Sequence, residues 1–231
     1  NYGTVSNFFA VNGTGSFSDF TSISPEEAFL IVTHETLMSS GTDYATYRSS
    51  PAGGNNDVVL ADVDELYLQF GGGIEKHPVA IRNFVKFGFE NWPSGPKNLF
   101  LIGKSISNHA NDDGSREDVS AFHQNLVPTW GYPGSDNHLT QGVNNSENSF
   151  ALATGRVSVS TNQEVLEYLD KVIEYEAEQD PVSLYDIPSK EWQKNVLLLG
   201  GGDDLLTNNV IHSYFDIFKN KLQDSAFGAL T

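Results

Sequence analysis

Four short runs of apolar residues, Phe29–Val32, Val58–Ala61, Leu99–Ile102 and Val196–Leu199, constrain the fold of this chain more than any other feature. Each lacks the apolar/polar alternation of a half-exposed strand and matches a strand covered on both faces. Ala151-Leu152-Ala153 leading into Val157 is a weaker fifth run. Helical patterns lie between them. Pro78 stands where a first helical residue would, and Ile81, Phe84, Val85 and Phe89 follow at one-face spacing. Thr161 and Glu164 form a capping-box pair, continued by the stripe Val165, Leu166, Leu169, Val172 and Ile173. Val210, Ile211, Tyr214, Phe215, Phe218 and Leu222 predict a last helix. Strands that alternate with helices of this length run parallel and are joined by crossovers, so the pattern predicts an α/β layered fold with a parallel sheet. Ser24-Pro25-Glu26-Glu27 also has the form of a helix start, but it runs straight into Phe29–Val32 and is read as a single turn.

The 231 residues, 39% of them hydrophobic, carry enough apolar material for a packed core. Thirteen Lys and Arg against 30 Asp and Glu leave a formal charge of −17. A chain that acidic repels phosphate backbones and anionic lipid, so the charge argues against nucleic acid and membrane surfaces as partners. The longest apolar run, Ala28–Val32, is far short of the roughly 20 residues of a membrane span. Cysteine is absent, which excludes disulfides, thiolate metal sites and a cysteine nucleophile within the 231 residues. Asn1 is not an initiator methionine and no signal peptide is visible, so the chain reads as a processed or excised piece of something longer.

Residues 1–26, rich in Gly, Ser, Thr and Asn with scattered Phe8, Phe9, Phe17 and Phe20, read as an extended lead-in or hairpin that packs its aromatics on the body. Residues 107–118, almost without apolar side chains, read as a long polar loop after a strand. Gly103-Lys104-Ser105 resembles the end of a phosphate-binding loop, but Asn98 stands where its first glycine belongs. Gly200-Gly201-Gly202-Asp203-Asp204 has Leu205 in place of the last glycine of a dinucleotide loop, and its aspartates would oppose a pyrophosphate. No Gly-x-Ser-x-Gly elbow supports a serine hydrolase built on Ser135 and His138. His34, His77, His109, His123, His138 and His212 show no metal spacing. No cofactor is implied. Calcium is the one ion the carboxylates suit, with Asp112, Asp113, Asp203 and Asp204 as candidate ligands, although the alternating spacing of a calcium loop is absent. Asn12-Gly13-Thr14 and Asn144-Asn145-Ser146 match a glycosylation pattern that is common by chance. The turn-rich segment Gly131–His138 contains Ser135, Asp136 and Asn137, and α/β folds place ligands on such loops at the carboxyl ends of strands.

An ordered set of motifs adds a resemblance. Leu66-Tyr67, Phe70-Gly71-Gly72-Gly73-Ile74, Lys76-His77-Pro78 and Ala80-Ile81-Arg82-Asn83-Phe84 precede Leu99–Ser105. Val127-Pro128, Gly131-Tyr132-Pro133, Ser135-Asp136-Asn137 and Thr154-Gly155-Arg156-Val157 follow, then Tyr168–Val172, Glu174-Tyr175-Glu176, Trp192 and Gly200–Gly202. In this order and spacing, residues 27–231 resemble the gingipain-like cysteine peptidase domain of secreted proteins of the type IX secretion route. The resemblance implies a caspase-like fold of two side-by-side subdomains, the first at 27–124 and the second, incomplete, at 125–231. It implies a secreted or cell-surface protein that meets protein or peptide substrates, and it makes Ser135, Asp136 and Asn137 pocket-lining residues. In that family the catalytic histidine follows a glycine and the cysteine comes in a later strand. This chain has no Gly-His pair and no cysteine, so no residue of it is assigned as catalytic, and both groups are expected beyond Thr231. The alternative is a non-catalytic cell-surface binding or assembly module, with a surface-protein partner, on a peptidase-like fold.

Overall fold

A computed structural model describes residues 17–106, 118–146, 149–179, 191–224 and 228. Two compact units divide the chain between Ala177 and Glu178.

The first unit holds the parallel sheet that the apolar runs predict. Strands β1 (Phe29–Thr33), β2 (Val58–Asp62), β3 (Asn98–Ile102) and β4 (Ala153–Val157) lie in the order β2-β1-β3-β4, all parallel. β1 is central, with Ile31 opposite Leu60 on one side and Phe100 on the other. The weak fifth run is β4. Ser24–Glu27 forms no helix, because Glu27 takes a left-handed φ of 50° and Phe29 N already donates to Asp57 O at the mouth of β2.

Because side chains alternate across a strand, each strand feeds two cores. Leu30, Val32, Val59, Ala61, Leu99 and Leu101 pack beneath helices α2 (Val63–Phe70) and α3 (Val79–Asn91), against Leu66, Tyr67, Ile81, Phe84 and Val85. Ile31, Phe100, Ile102 and Val157 face the other way, against Leu37, Tyr44, Val165 and Leu169 of helices α1 (Met38–Ser49) and α5 (Asn162–Gln179) with the short turn before α1. The unit is therefore a three-layer α/β/α sandwich.

Local signals explain several boundaries. The Thr161–Glu164 capping box is made: Thr161 N donates to Glu164 Oε2 at 3.0 Å and Glu164 N to Thr161 Oγ1 at 3.3 Å. Pro78 caps α3 in helical φ/ψ rather than occupying its first turn. The end of the lead-in packs on the body as expected. Phe20 is buried beside Phe84, Trp92 Nε1 donates to Phe20 O at 3.1 Å, and Ser18 N and Oγ donate to Glu65. Phe17 stays exposed, and Phe8 and Phe9 lie outside the described residues. The expected boundary at residues 124 and 125 falls within the first unit, where helix α4 (Val119–Gln124) ends and Leu126 N and Val127 N donate to Lys104 O.

The second unit contains a short 3-10 turn (Glu191–Lys194) and helix α6 (Leu205–Leu222). The predicted strand at Val196–Leu199 is not formed among the described residues. Among the described residues no strand pairs with it, and Leu197 and Leu199 are each 81% exposed. A strand needs a neighbour to satisfy its N–H and C=O groups, and apolar sequence alone does not supply one.

Candidate functional site

In a parallel sheet of the order β2-β1-β3-β4 the chain turns to opposite sides after β1 and after β3, the switch point at whose carboxyl ends α/β folds place ligands. Two groups of side chains gather at this edge of the sheet.

The first group surrounds Arg156 of β4. Its Nε lies 2.7 Å from Asp136 Oδ2 and its Nη2 2.8 Å from Asp136 Oδ1, a two-pronged ion pair. Nη1 also donates to Gly103 O at 2.7 Å and Val127 O at 2.8 Å, and Nη2 to Pro128 O. One guanidinium thus ties the ends of β3 and β4 to the segment 127–141. From the outer side Arg82 of α3 holds the same segment, donating to Gln141 O at 2.6 Å and His138 O at 3.2 Å and lying over the Trp130 ring. Between the two arginines the tip Gly131–Gly134 is exposed to solvent.

The three residues expected to line a pocket sit on this segment. Asp136 starts a short 3-10 turn (Asp136–Leu139), but its carboxylate is spent on Arg156. Ser135 is half-buried with its N–H on Trp130 O. Asn137 is exposed, with its carbonyl accepting from Thr140 N. Ser135 and His138 form no nucleophile–base pair: His138 N donates to Ser135 O, and the ring Nδ1 lies 2.7 Å from Gln141 Oε1.

The second group was not singled out as a site from the sequence. It comprises His34 after β1, Asp62 at the end of β2, Asp64 in the first turn of α2, and Lys76 in the loop before α3. His34 Nε2 lies 3.3 Å from Asp64 Oδ2. Thr36 N donates to His34 Nδ1, so in the neutral ring the proton is on Nε2 and points at Asp64. Burial holds the His34 ring below its ordinary pKa, against the pull of Asp64. Burial likewise raises Asp64, with His34 and Lys76 opposing. Asp62, 5% exposed, caps α2 by accepting from Asp64 N at 3.0 Å, and burial pushes its carboxyl up to about 6. Lys76 is 8% exposed, its ammonium 5.8 Å from the Phe122 ring centre. The signal available in the sequence was positional. Asp62 is the acid that ends an apolar run, and Lys76 follows three glycines.

Of the carboxylates considered for calcium, Asp203 and Asp204 lie in the second unit. Asp204 caps α6, its Oδ1 accepting from Thr207 N at 2.6 Å, and these bonds hold its carboxyl below the ordinary value. Asp203 sits beside it on an exposed turn. Asp112 and Asp113 lie outside the described residues. Among the described residues no three His, Asp or Glu side chains are arranged to hold a metal, and no helix is long and apolar enough to cross a membrane.

With the geometry in hand, comparison with known proteins decides the family. Residues 23–227 match peptidase family C25, which takes in most of the chain and all four strands. The chain belongs to this family, the gingipain family of cysteine peptidases. No curated protein and no solved structure matches it. The α/β architecture with an all-parallel sheet is consistent with the caspase-like fold that the motifs implied. Against that background the composition becomes decisive chemistry. A cysteine peptidase needs a thiolate and a base within hydrogen-bond reach, and these 231 residues contain no cysteine. The chain as given holds no covalent nucleophile of the family's kind.

Proposed function

We propose that this chain is the cysteine-free part of a secreted or cell-surface gingipain-like endopeptidase, inactive by itself and acting on protein or peptide substrates when joined to its catalytic residues. The observation that carries this reading is a family match over residues 23–227 in a chain without a single cysteine. In this reading Ser135, Asp136 and Asn137 belong to a substrate-side segment. Asp136 acts as its anchor through Arg156, and the exposed tip Gly131–Gly134 offers the contact surface.

The test is the intact mass and carboxyl-terminal sequence of the protein from its native source, followed by labelling with a thiol-directed peptidyl electrophile. The reading expects a species heavier than 25.3 kDa, containing a Gly-His pair and a later cysteine, whose labelling stops cleavage of a protein substrate. A 25.3 kDa species with no label and no associated fragment overturns it. That outcome favours the second reading, a non-catalytic surface binding or assembly module. The exposed apolar side chains of α6, among them Leu206, Val210 and Ile217, draw attention to that alternative.

A further inference from the structure

The loop Gly71–Pro78 between α2 and α3 is built to turn inward at Lys76. Gly72 and Gly73 take left-handed φ values of 64° and 78°, and Lys76 itself sits at 55°, a conformation that disfavours side chains with a Cβ. The result is a lysine 8% exposed against the strand ends while its neighbour Ile74 is half exposed. A buried ammonium requires a counter-charge. Among the described residues no carboxylate lies within 4.0 Å of it, and the compensation comes at longer range from Asp64. Asp64 is also the group that His34 Nε2 faces at 3.3 Å.

We propose that His34, Asp64 and Lys76 form an acid-sensitive latch on the Gly71–Pro78 loop, one carboxylate being shared between two potential cations. At neutral pH the ring is uncharged and the charge of Asp64 serves Lys76. When the ring takes up a proton it claims Asp64 at contact distance, and Lys76 is left buried, without its counter-charge and facing a second cation. The strained, glycine-rich loop is the element that yields, and it carries Lys76 out to water.

The other groups around the latch set its limits. Glu35, next to His34, acts on the ring, on Asp64 and on Asp62, and Glu75 acts on Asp64. Asp62 faces Asp64, Glu35 and Glu65. From α4 comes the uncharged Phe122 ring, with His123 packed edge-on to it. A ring held below its free pKa in the closed state returns toward about 6.5 on opening, so proton uptake favours the open loop as pH falls through that value. Asp62 and Asp64, both raised by burial, work the other way, because the closed state holds their protons more tightly, and they damp the response.

Hydrogen exchange on the full chain reads this directly. Gly73 N donates to Tyr67 O and Ile74 N to Gly71 O, so these amides report on loop opening. Their protection factors, corrected for the intrinsic pH dependence of exchange, should fall several-fold between pH 7.5 and 5.5, while the amides of β1 keep theirs. His34→Gln removes the proton site and should flatten the profile. Lys76→Met removes the second cation and should flatten it independently, which guards against a folding defect in either variant. Asp62→Asn should steepen it. A flat wild-type profile, or an equal fall in both His34→Gln and Lys76→Met, overturns the proposal.

Discussion

The runs Phe29–Thr33 and Val196–Leu199 are near equivalents in sequence, each an apolar stretch leading toward a helix, and they meet opposite fates. The first lies between two parallel neighbours with Leu30, Ile31 and Val32 fully buried. The second finds no strand partner among the described residues and leaves Leu197 and Leu199 largely in water. Hydrophobic pattern states how many faces of a segment ask to be covered. It does not state what covers them, because strand pairing is a long-range contact and the run encodes only its own half. The same holds for the helices. α3 buries Ile81, Phe84 and Val85 on the sheet, whereas α6 has no fully buried residue and exposes Leu206, Val210, Tyr214 and Ile217.

The comparison breaks most decisively through the core. Phe84→Ala removes a ring packed on Phe20, Phe70 and Trp92 and should cost about 3–5 kcal/mol. Urea unfolding measures it, and a cost under 1 kcal/mol would mean that the sandwich described for the first unit is not the packing in solution. Arg156→Ala comes next. It leaves Asp136 without its partner and frees three carbonyls, and it should cost about 3 kcal/mol, less than a fully buried pair because Asp136 keeps some solvent. Arg156→Lys should recover only part of that, since an ammonium cannot span both carboxylate oxygens and the carbonyls. Full recovery would reduce the guanidinium's role to its charge.

Much of the first unit was legible because its strands and α3 declare themselves by apolar content. Helix α1 did not, for a physical reason. Apart from Tyr44, its buried residues are Ser40 and Gly41, and a Cβ at Gly41 would come within 3.2 Å of Thr33 Cγ2. A close approach of helix to sheet needs small residues, and small residues draw no hydrophobic stripe. The site was legible in the same partial way. Ser135, Asp136 and Asn137 were found by turn chemistry and resemblance, but the partner that gives Asp136 its role lies 20 residues on, in β4. His34, Asp62, Asp64 and Lys76 come from three separate stretches, and only strand order brings them together.

Asp62 sharpens the comparison through pH. Its carboxyl is raised from an ordinary value near 3.8 to about 6, so the folded state holds the proton more tightly than the unfolded chain. That contribution is present in full below about pH 3.8 and is lost as pH rises through about 6. Asp62→Asn keeps a side chain able to cap α2 and cannot ionise. It should stabilise the protein by about 1–2 kcal/mol at pH 8, with the gain vanishing toward pH 4. Paired denaturation curves at the two pH values test this. A gain that does not change with pH would place the effect in packing.

The smallest expected effect tests the other half of the comparison. Leu197 is 81% exposed, so Leu197→Ser removes little apolar area that folding had taken from water, and its cost should stay within about 0.5 kcal/mol. Ile31→Ala, at the matching place in the first unit, should cost about 2–5 kcal/mol, and the ratio of the two is the informative quantity. If Leu197→Ser instead approaches Ile31→Ala, something covers Val196–Leu199 in solution, because no exposed side chain carries that much burial energy. Repeating the measurement across a hundredfold range of protein concentration then identifies the cover. A second copy of the chain makes the cost grow with concentration. A segment of the same polypeptide leaves it constant.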